Sequence, residues 1–155
     1  MKAAIYCRVS TDEQTTDNQE LILVEHAKLK GFEYEVYTET ESSGNTRPVK
    51  AKLLKLLRAK RYSTLLIYKM DRWARSSTEL LLEFQELHDM GINIISLSDN
   101  LDLNSASGRL QFQILAAFAE FEKALIKERT KAGLNRARLQ GKVLGRPRKT
   151  PLPPL

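Results

Sequence analysis

Segments patterned like strands alternate with segments patterned like helices along the first hundred residues of the chain. Four segments have the apolar runs or the alternation of strands: residues 2–9, 32–39, 64–70 and 92–99. Three segments between them repeat apolar side chains at helical spacing: residues 19–30, 48–60 and 77–90. This β-α-β-α-β-α-β order predicts an α/β fold with a largely parallel central sheet flanked by helices. The carboxyl ends of parallel strands then share one edge, where open α/β sheets keep their functional sites.

A long uninterrupted segment follows this alternation. Between Gly108 and Gly141 the chain has no proline and only one glycine, Gly133, which predicts about 30 residues of continuous helix over 107–140. Its first half carries two neighbouring apolar stripes, Leu110, Ile114, Phe118, Phe121 and Leu125 in one and Phe112, Leu115, Ala119 and Ile126 in the other. A single α/β domain rarely covers so wide an apolar surface, so we expect part of it, including Phe112, to pack on another subunit.

Charge is distributed unevenly along the 155 residues. Between Lys123 and Lys149, ten basic residues stand against one acidic residue, Glu128, whereas the rest of the chain has 15 basic and 18 acidic residues. A basic segment of this kind suits a polyanion such as nucleic acid, because each neutralised phosphate releases counterions. The alternative is a solvated helix with a basic face. The side chains expected to contact DNA are Arg136, Arg138, Lys142, Arg146, Arg148 and Lys149.

Composition excludes several classes of protein. A single cysteine, Cys7, cannot form a disulfide scaffold and indicates a reducing, cytoplasmic location. No run approaches the roughly 18 consecutive apolar residues of a membrane helix, so no membrane partner is expected. His26 and His88 fall in predicted helices without partners at metal-ligand spacing, so we predict neither a metal site nor a cofactor. Cys7 is expected to be a small buried side chain and not a nucleophile.

Side chains suited to phosphate chemistry lie at the end of the first strand. Tyr6, Arg8 and Ser10 alternate along it and therefore point to one side. A serine hydroxyl becomes a nucleophile when a base or nearby cations assist it, and Arg8 could supply the positive charge. Ser10 could instead cap the next helix, as could Thr11 or Asp17.

A second group of charged residues follows the third strand. Asp71, Arg72 and Arg75 come where a parallel sheet would bring them near Ser10. Arginine suits phosphate because its planar fork donates to two oxygens at once and keeps its charge at any working pH. The two groups together predict a phosphodiester site. Trp73, between the two arginines, is expected to pack beneath the start of the following helix.

Several ordered motifs resemble those of the serine recombinase family, which includes the resolvases, DNA invertases and serine transposases. Residues 6–11 with Gln14 and Gln19 are similar to the nucleophile motif of that family, and Ser43-Gly44 with Arg47-Pro48 is similar to its loop motif. Asp71-Arg72 with Arg75 resembles its second arginine motif. Glu122-Lys123 and Glu128-Arg129-Thr130 resemble the start of its long helix, where an arginine is more usual at the position of Lys123.

The resemblance implies a DNA recombinase in which Ser10 attacks a phosphodiester, forms a 5′-phosphoserine link and releases a 3′-hydroxyl, with religation as the reverse step and no need for ATP. It implies that cationic side chains stabilise the transition state: Arg8, Arg47, Arg72, Arg75 and Arg129. Lys123 would be a further one, at a position where the family more usually has an arginine. Asp71 would orient an arginine or help the leaving group, Gln19 and Tyr6 would lie at the site, and Glu39 or Glu41 would supply the acid that precedes the Ser-Gly pair.

The expected partners are double-stranded DNA and further copies of the chain, as a homodimer that becomes a tetramer when two DNA sites are paired, without a small-molecule substrate. We expect residues 1–106 to form the catalytic core, 107–140 the long helix for oligomerisation and DNA contact, and 141–155 a basic and then proline-rich tail without a helix-turn-helix domain. Residues 145–149 resemble a Gly-Arg-Pro arm for an A·T-rich minor groove. The alternative is a catalytically silent or truncated relative that regulates a full-length recombinase.

Overall fold

The computed structural model describes residues 1–9, 14–40, 46–143 and 145, with the backbone alone for residues 14–17. The strands are β1 (Lys2–Val9), β2 (Glu33–Thr40), β3 (Thr64–Ile67), β4 (Asn93–Ser96) and β5 (Leu101–Asp102). The helices are α1 (Gln14–Leu29), α2 (Pro48–Arg58), α3 (Met70–Trp73), α4 (Ser77–Asp89) and α5 (Ala106–Leu139). The chain divides into two compact units, Met1–Ala117 and Phe118–Leu155. None of the described helices is long and apolar enough to cross a membrane.

The central sheet has the strand order β2-β1-β3-β4-β5. The first four strands are parallel, whereas β5 pairs with β4 in the antiparallel direction. This confirms the predicted α/β fold with a largely parallel sheet. Strand β1 lies between β2 and β3, so the connection that leaves β1 and the one that enters β3 lie on opposite faces of the sheet. Such a switch point opens a crevice at the carboxyl ends of the two strands.

The two faces of β1 pack against different helices because successive side chains of a strand alternate. Ile5 and Cys7 lie in a buried cluster with Leu23 and Ala27 of α1. Ala4 and Tyr6 lie in a larger cluster with side chains of α2, α3 and α4. Tyr6, and Arg8 two residues later, therefore belong to the face that carries α2 and the segment after β3.

Three predicted boundaries differ from the structure by three residues or more, and one of them is the end of the fourth predicted strand, which lies at Ser96 and not at residue 99. Helix α1 begins at Gln14, five residues earlier than predicted, so Asp17 lies inside it and cannot be its N-cap. The third predicted strand ends at Ile67, and residues 70–73 form the helical turn α3 instead. The side chain of Asp99 explains this turn, because its Oδ2 accepts a hydrogen bond from the Met70 N–H at 2.8 Å.

Helix α5 has the predicted continuous length, but one of its apolar residues was wrongly assigned to an interface. Phe112 is only 6% exposed and stacks against Phe84, with ring centroids 6.2 Å apart. Leu110 and Ile114, two residues on either side, are exposed. Positions two apart on a helix point in nearly opposite directions, so Phe112 fills the core of its own chain while its neighbours face outwards.

Candidate active site

The candidate site lies at the carboxyl ends of β1 and β3. Arg8 is the second-last residue of β1, and its Cα is paired in register with that of Glu39 on β2. Arg72 lies in α3, and Arg75 lies just before α4, where its side chain is exposed. Arg47 occupies the position before α2. Ser10 follows Val9, the last residue of β1, and lies outside the described residues.

Tyr6 is a buried neutral phenol beside these cations. Its side chain is fully buried, and its ring meets that of Trp73 edge-on at 5.1 Å. Burial, with a smaller contribution from Glu39, raises the pKa of Tyr6 to about 12, against the opposing influence of Arg47 and Arg8. No described residue makes a hydrogen bond with its Oη. The phenol is therefore protonated at neutral pH. It lies close enough to Arg8 and Arg47 for their positive charges to influence its pKa.

Arg47 joins the start of α2 to the arginine segment after β3. Its Nη1 donates a hydrogen bond to the main-chain oxygen of Trp73 at 2.6 Å. Its Nη2 is buried and has no hydrogen-bond partner in the part of the chain that the structure describes. One side of the guanidinium is thus fixed, while Nη2 keeps an unused donor among the described residues.

Glu39 supports the start of α2. The carboxylate is buried, and its Oε2 accepts a hydrogen bond from the Lys50 N–H at 2.8 Å. The first turn of a helix has N–H groups without partners inside the helix, and no side chain at position 47 caps them. The carboxylate accepts a hydrogen bond from one of these donors. Its negative charge also interacts favourably with the positive, N-terminal end of the helix dipole. Glu41, the other acid considered from the sequence, lies outside the described residues.

Asp71 is a surface residue. Its carboxylate lies 3.8 Å from Lys69 Nζ and 3.7 Å from Arg72 Nε, and both ion pairs are largely solvated. Such pairs contribute at most about 1 kcal/mol. Asp71 is therefore accessible to a partner, and it is close enough to Arg72 to orient that guanidinium.

A partly buried ion cluster centred on Lys50, which sequence reasoning missed, lines the same cleft as Arg47 and Arg75. Lys50 Nζ lies 2.6 Å from Glu79 Oε1 and 2.8 Å from Glu83 Oε2, and 5.0 Å from the centroid of the Trp73 ring. The indole Nε1 of Trp73 also donates to Glu83 Oε2 at 2.6 Å. One feature of the sequence could have indicated that Lys50 is buried: it lies at helical spacing from Leu53, Leu54 and Leu57, the other buried residues of α2. Glu79 and Glu83, four residues apart on α4, share one face.

The ion cluster forms one wall of an open cleft of ≈ 250 Å³ whose lining includes Arg47 and Arg75. Partial burial raises the pKa of Glu79, but hydrogen bonds from the Lys50 ammonium and the Arg75 N–H outweigh it and leave a net lowering. Glu79 is therefore ionised at neutral pH, and Lys50 offsets its charge. The cleft combines arginine donors with carboxylates that are already paired.

The sequence matches the family model described as "Resolvase, N terminal domain" over residues 3–143. It is 40% identical over 143 residues to a DNA-invertase of Escherichia phage P1, covering 91% of this chain and 73% of that protein. It is 41% identical over 145 residues to the serine recombinase gin of Escherichia phage Mu, covering 93% and 72%. The solved N-terminal catalytic domain of TP901-1 integrase superposes with a TM-score of 0.72 at 36% identity, covering 81% of this chain and 98% of that one.

The chain belongs to the resolvase family of serine recombinases. The predicted family, fold and enzyme class are thereby confirmed, since enzymes of this family cleave and rejoin DNA.

The structure brings together only part of the predicted site of this recombinase. Tyr6, Arg8 and Arg47 lie near one another, and Arg75 shares the cleft with Arg47. Gln19 is half-buried on α1. The cationic residues of α5 and the turn after it are exposed within the second compact unit: Lys123, Arg129, Arg136, Arg138 and Lys142. The remaining predicted residues lie outside the described part of the chain: Ser10, Ser43, Gly44, Arg146, Arg148 and Lys149.

Two structural interpretations from the sequence are confirmed. Trp73 is fully buried beneath α4, in contact with Tyr6 and Phe84. Cys7 is a buried free thiol on the opposite face of β1, and burial raises its pKa to about 12. It is therefore a poor nucleophile. Among the described residues, no group of three His, Cys, Asp or Glu side chains is arranged to hold a metal ion.

Proposed function

We propose that this recombinase cuts double-stranded DNA through Ser10. The hydroxyl loses its proton as its oxygen bonds to the phosphorus of a phosphodiester, the bond from phosphorus to the 3′-oxygen breaks, and the 3′-oxygen takes up one proton. The product is a 5′-phosphoserine link and a free 3′-hydroxyl. Attack by a 3′-hydroxyl on the phosphoserine reverses each bond change, so strands are rejoined without ATP.

One observation carries this proposal: the bond from Arg47 to Trp73 ties a guanidinium to the segment that carries Arg72 and Arg75. The β1 end that leads to Ser10 lies on the same edge of the sheet. Phosphoryl transfer spreads negative charge over the phosphate oxygens, and fixed cations stabilise that charge as it develops. Arginines that are held before the substrate arrives need little reorganisation during the reaction.

The other predicted residues take supporting roles in the proposal. Asp71 orients Arg72 or delivers a proton to the leaving oxygen, and Gln19 hydrogen-bonds near the site. Lys123 and Arg129 add positive charge from α5. The exposed basic residues that begin with Arg136 contact the DNA backbone.

Assembly is part of the proposal because strand exchange between two duplexes requires four cuts. Leu110 and Ile114 are exposed in the first unit, and Phe118, Phe121 and Ile126 are exposed in the second. Apolar side chains in such number on one helix favour coverage by another subunit. We infer a homodimer that becomes a tetramer, with one Ser10 for each strand.

The test is capture of the covalent intermediate. The 155-residue protein is mixed with a library of labelled, nicked duplexes of randomised sequence and stopped with detergent, and the adduct is located by mass spectrometry. We expect phosphate on Ser10, no adduct with Ser10→Ala, and a normal yield with Ser63→Ala, a serine at the opposite edge of the sheet. An adduct on Ser42 or Ser43, or DNA binding without any adduct, contradicts the proposal. The second result would favour a silent regulator.

A further inference from the structure

We propose that Lys50 is a positioning residue of this recombinase, whose buried ammonium holds α4 against the start of α2 and so sets Arg47 relative to Arg75. The inference rests on the proposed function, in which both arginines stabilise the phosphoryl transition state. Lys50 itself is 4% exposed and does not contact the DNA in this proposal.

The ammonium of Lys50 joins two carboxylates of one helix from the neighbouring helix. Lysine is rarely so deeply buried unless it is paired. Here the pairing is close, because Nζ lies 2.6 Å from Glu79 and 2.8 Å from Glu83. The Lys50 N–H is anchored as well, by Glu39 of β2 at 2.8 Å. Strand β2, helix α2 and helix α4 are thus connected through one residue.

Each of the two carboxylates also holds one end of the arginine segment. Glu83 accepts from the indole of Trp73 at 2.6 Å, and Glu79 accepts from the Arg75 N–H at 3.2 Å. Trp73 is the residue whose main-chain oxygen binds Arg47. Arg47 is three residues before Lys50, at the position that precedes α2. Lys50 therefore reaches both arginines through a short chain of direct contacts.

A contribution to stability alone does not account for this arrangement. Replacing a buried ion pair or triad by well-packed apolar residues of similar volume often leaves a protein as stable or more stable, whereas removing one partner is strongly destabilising. An apolar side chain would pack between α2 and α4, but it would not fix the two carboxylates that hold Trp73 and Arg75. Positioning and stability can consequently be separated by neutralising the whole cluster.

The experiment compares three variants of the 155-residue protein in the adduct assay. Lys50→Met removes the ammonium and keeps the length of the side chain. Lys50→Met combined with Glu79→Gln and Glu83→Gln removes all three charges, so that neither partly buried carboxylate loses its partner. We expect this triple variant to fold even where Lys50→Met alone does not. Lys52→Met is the matched control, since Lys52 is exposed on the same helix.

The measurements are the rate constant for adduct formation at saturating DNA, the Kd for the DNA and the melting temperature. We expect the triple variant to melt near the wild-type temperature and bind DNA with an unchanged Kd, but to form adduct about tenfold more slowly or worse, because small displacements of reacting groups are costly. Lys52→Met should match the wild type in all three. A folded triple variant with the wild-type rate constant would overturn the role of Lys50. Failure of the wild type to form adduct would instead overturn the proposed function.

Discussion

The guanidinium of Arg47 donates to the main-chain oxygen of Trp73 at 2.6 Å. Arg47 precedes α2, which packs over β1, and Trp73 ends α3, which follows β3. The bond therefore crosses the switch point of the sheet and joins two segments that lie 26 residues apart in sequence. The bond fixes a cation beside the segment that carries Arg72 and Arg75.

Substituting Arg47 should reduce cleavage more than it reduces binding. Removing one preorganised donor from a transition-state site typically costs about 100- to 1000-fold in rate, and we expect this range for Arg47→Ala. Arg47→Lys should fall between the wild type and Arg47→Ala, because lysine keeps the charge but cannot bind Trp73 and a phosphate with one planar fork. The rate constant for adduct formation at saturating DNA is the measurement. Arg61→Ala, an exposed arginine at the opposite edge, is the control, and equal effects of the two alanine variants would contradict the prediction.

The alternation of strand and helix patterns was sufficient to predict the fold, because each element buries one face and the connections leave few topologies. The Lys50 cluster escaped prediction for a physical reason. A lysine on α2 and two glutamates on α4 look like ordinary solvated charges until the helices are packed together. Asp99 is a similar case, since its contact with Met70 depends on the turn after β4.

Adduct formation should not require a divalent metal. The candidate cations at the site are guanidinium groups, which keep their charge at any working pH and can stabilise a phosphoryl transition state. Excess EDTA should therefore leave the rate constant for adduct formation within about twofold of its original value, with Ser10→Ala as the blank. Loss of activity that Mg²⁺ specifically restores would point to metal-assisted chemistry instead.

The buried phenol of Tyr6 should make the protein less stable at alkaline pH. The pKa of Tyr6 is raised to about 12 in the folded protein, whereas an unperturbed tyrosine titrates near 10. Above the lower pKa the unfolded chain loses this proton first, so the free energy of unfolding falls as the pH rises from about 10 to about 12. Tyr6→Phe lacks this contribution and should lose less stability over that interval.

Denaturant unfolding of both proteins at several pH values tests the role of Tyr6. Cys7, whose pKa burial also raises, is present in both and contributes equally to the two curves. As the pH rises, the free energy of unfolding of Tyr6→Phe should therefore increase relative to that of the wild type. Parallel curves from pH 8 to 12 would show that the phenol ionises equally easily in the folded and unfolded states.

Two phenylalanines on α5 should respond differently to truncation. Phe112 is 6% exposed and Phe118 is 60% exposed. Phe112→Ala leaves a cavity beside Phe84 and should lower the free energy of unfolding by about 3–5 kcal/mol. Phe118→Ala should change it by less than about 0.5 kcal/mol but weaken self-association. Urea unfolding at low protein concentration and analytical ultracentrifugation provide the two measurements, and a stable Phe112→Ala protein would contradict the core assignment.

The basic end of the chain should contribute affinity for DNA with little sequence readout. Arg146, Arg148 and Lys149 follow Gly145 in a segment that resembles a minor-groove arm. The logarithm of the DNA-binding constant falls linearly with the logarithm of the salt concentration, and each phosphate that a cation neutralises steepens this slope by about 0.9. Substituting all three residues with alanine should therefore make the slope shallower by up to about 2.7. A matched variant that removes three exposed cations elsewhere, Lys28, Lys30 and Arg61, should leave the slope unchanged. Affinity measured on A·T-rich and G·C-rich duplexes across a salt series separates phosphate binding from groove binding. A weaker affinity confined to A·T-rich DNA would indicate groove binding, and an unchanged slope would show that these residues do not bind the DNA.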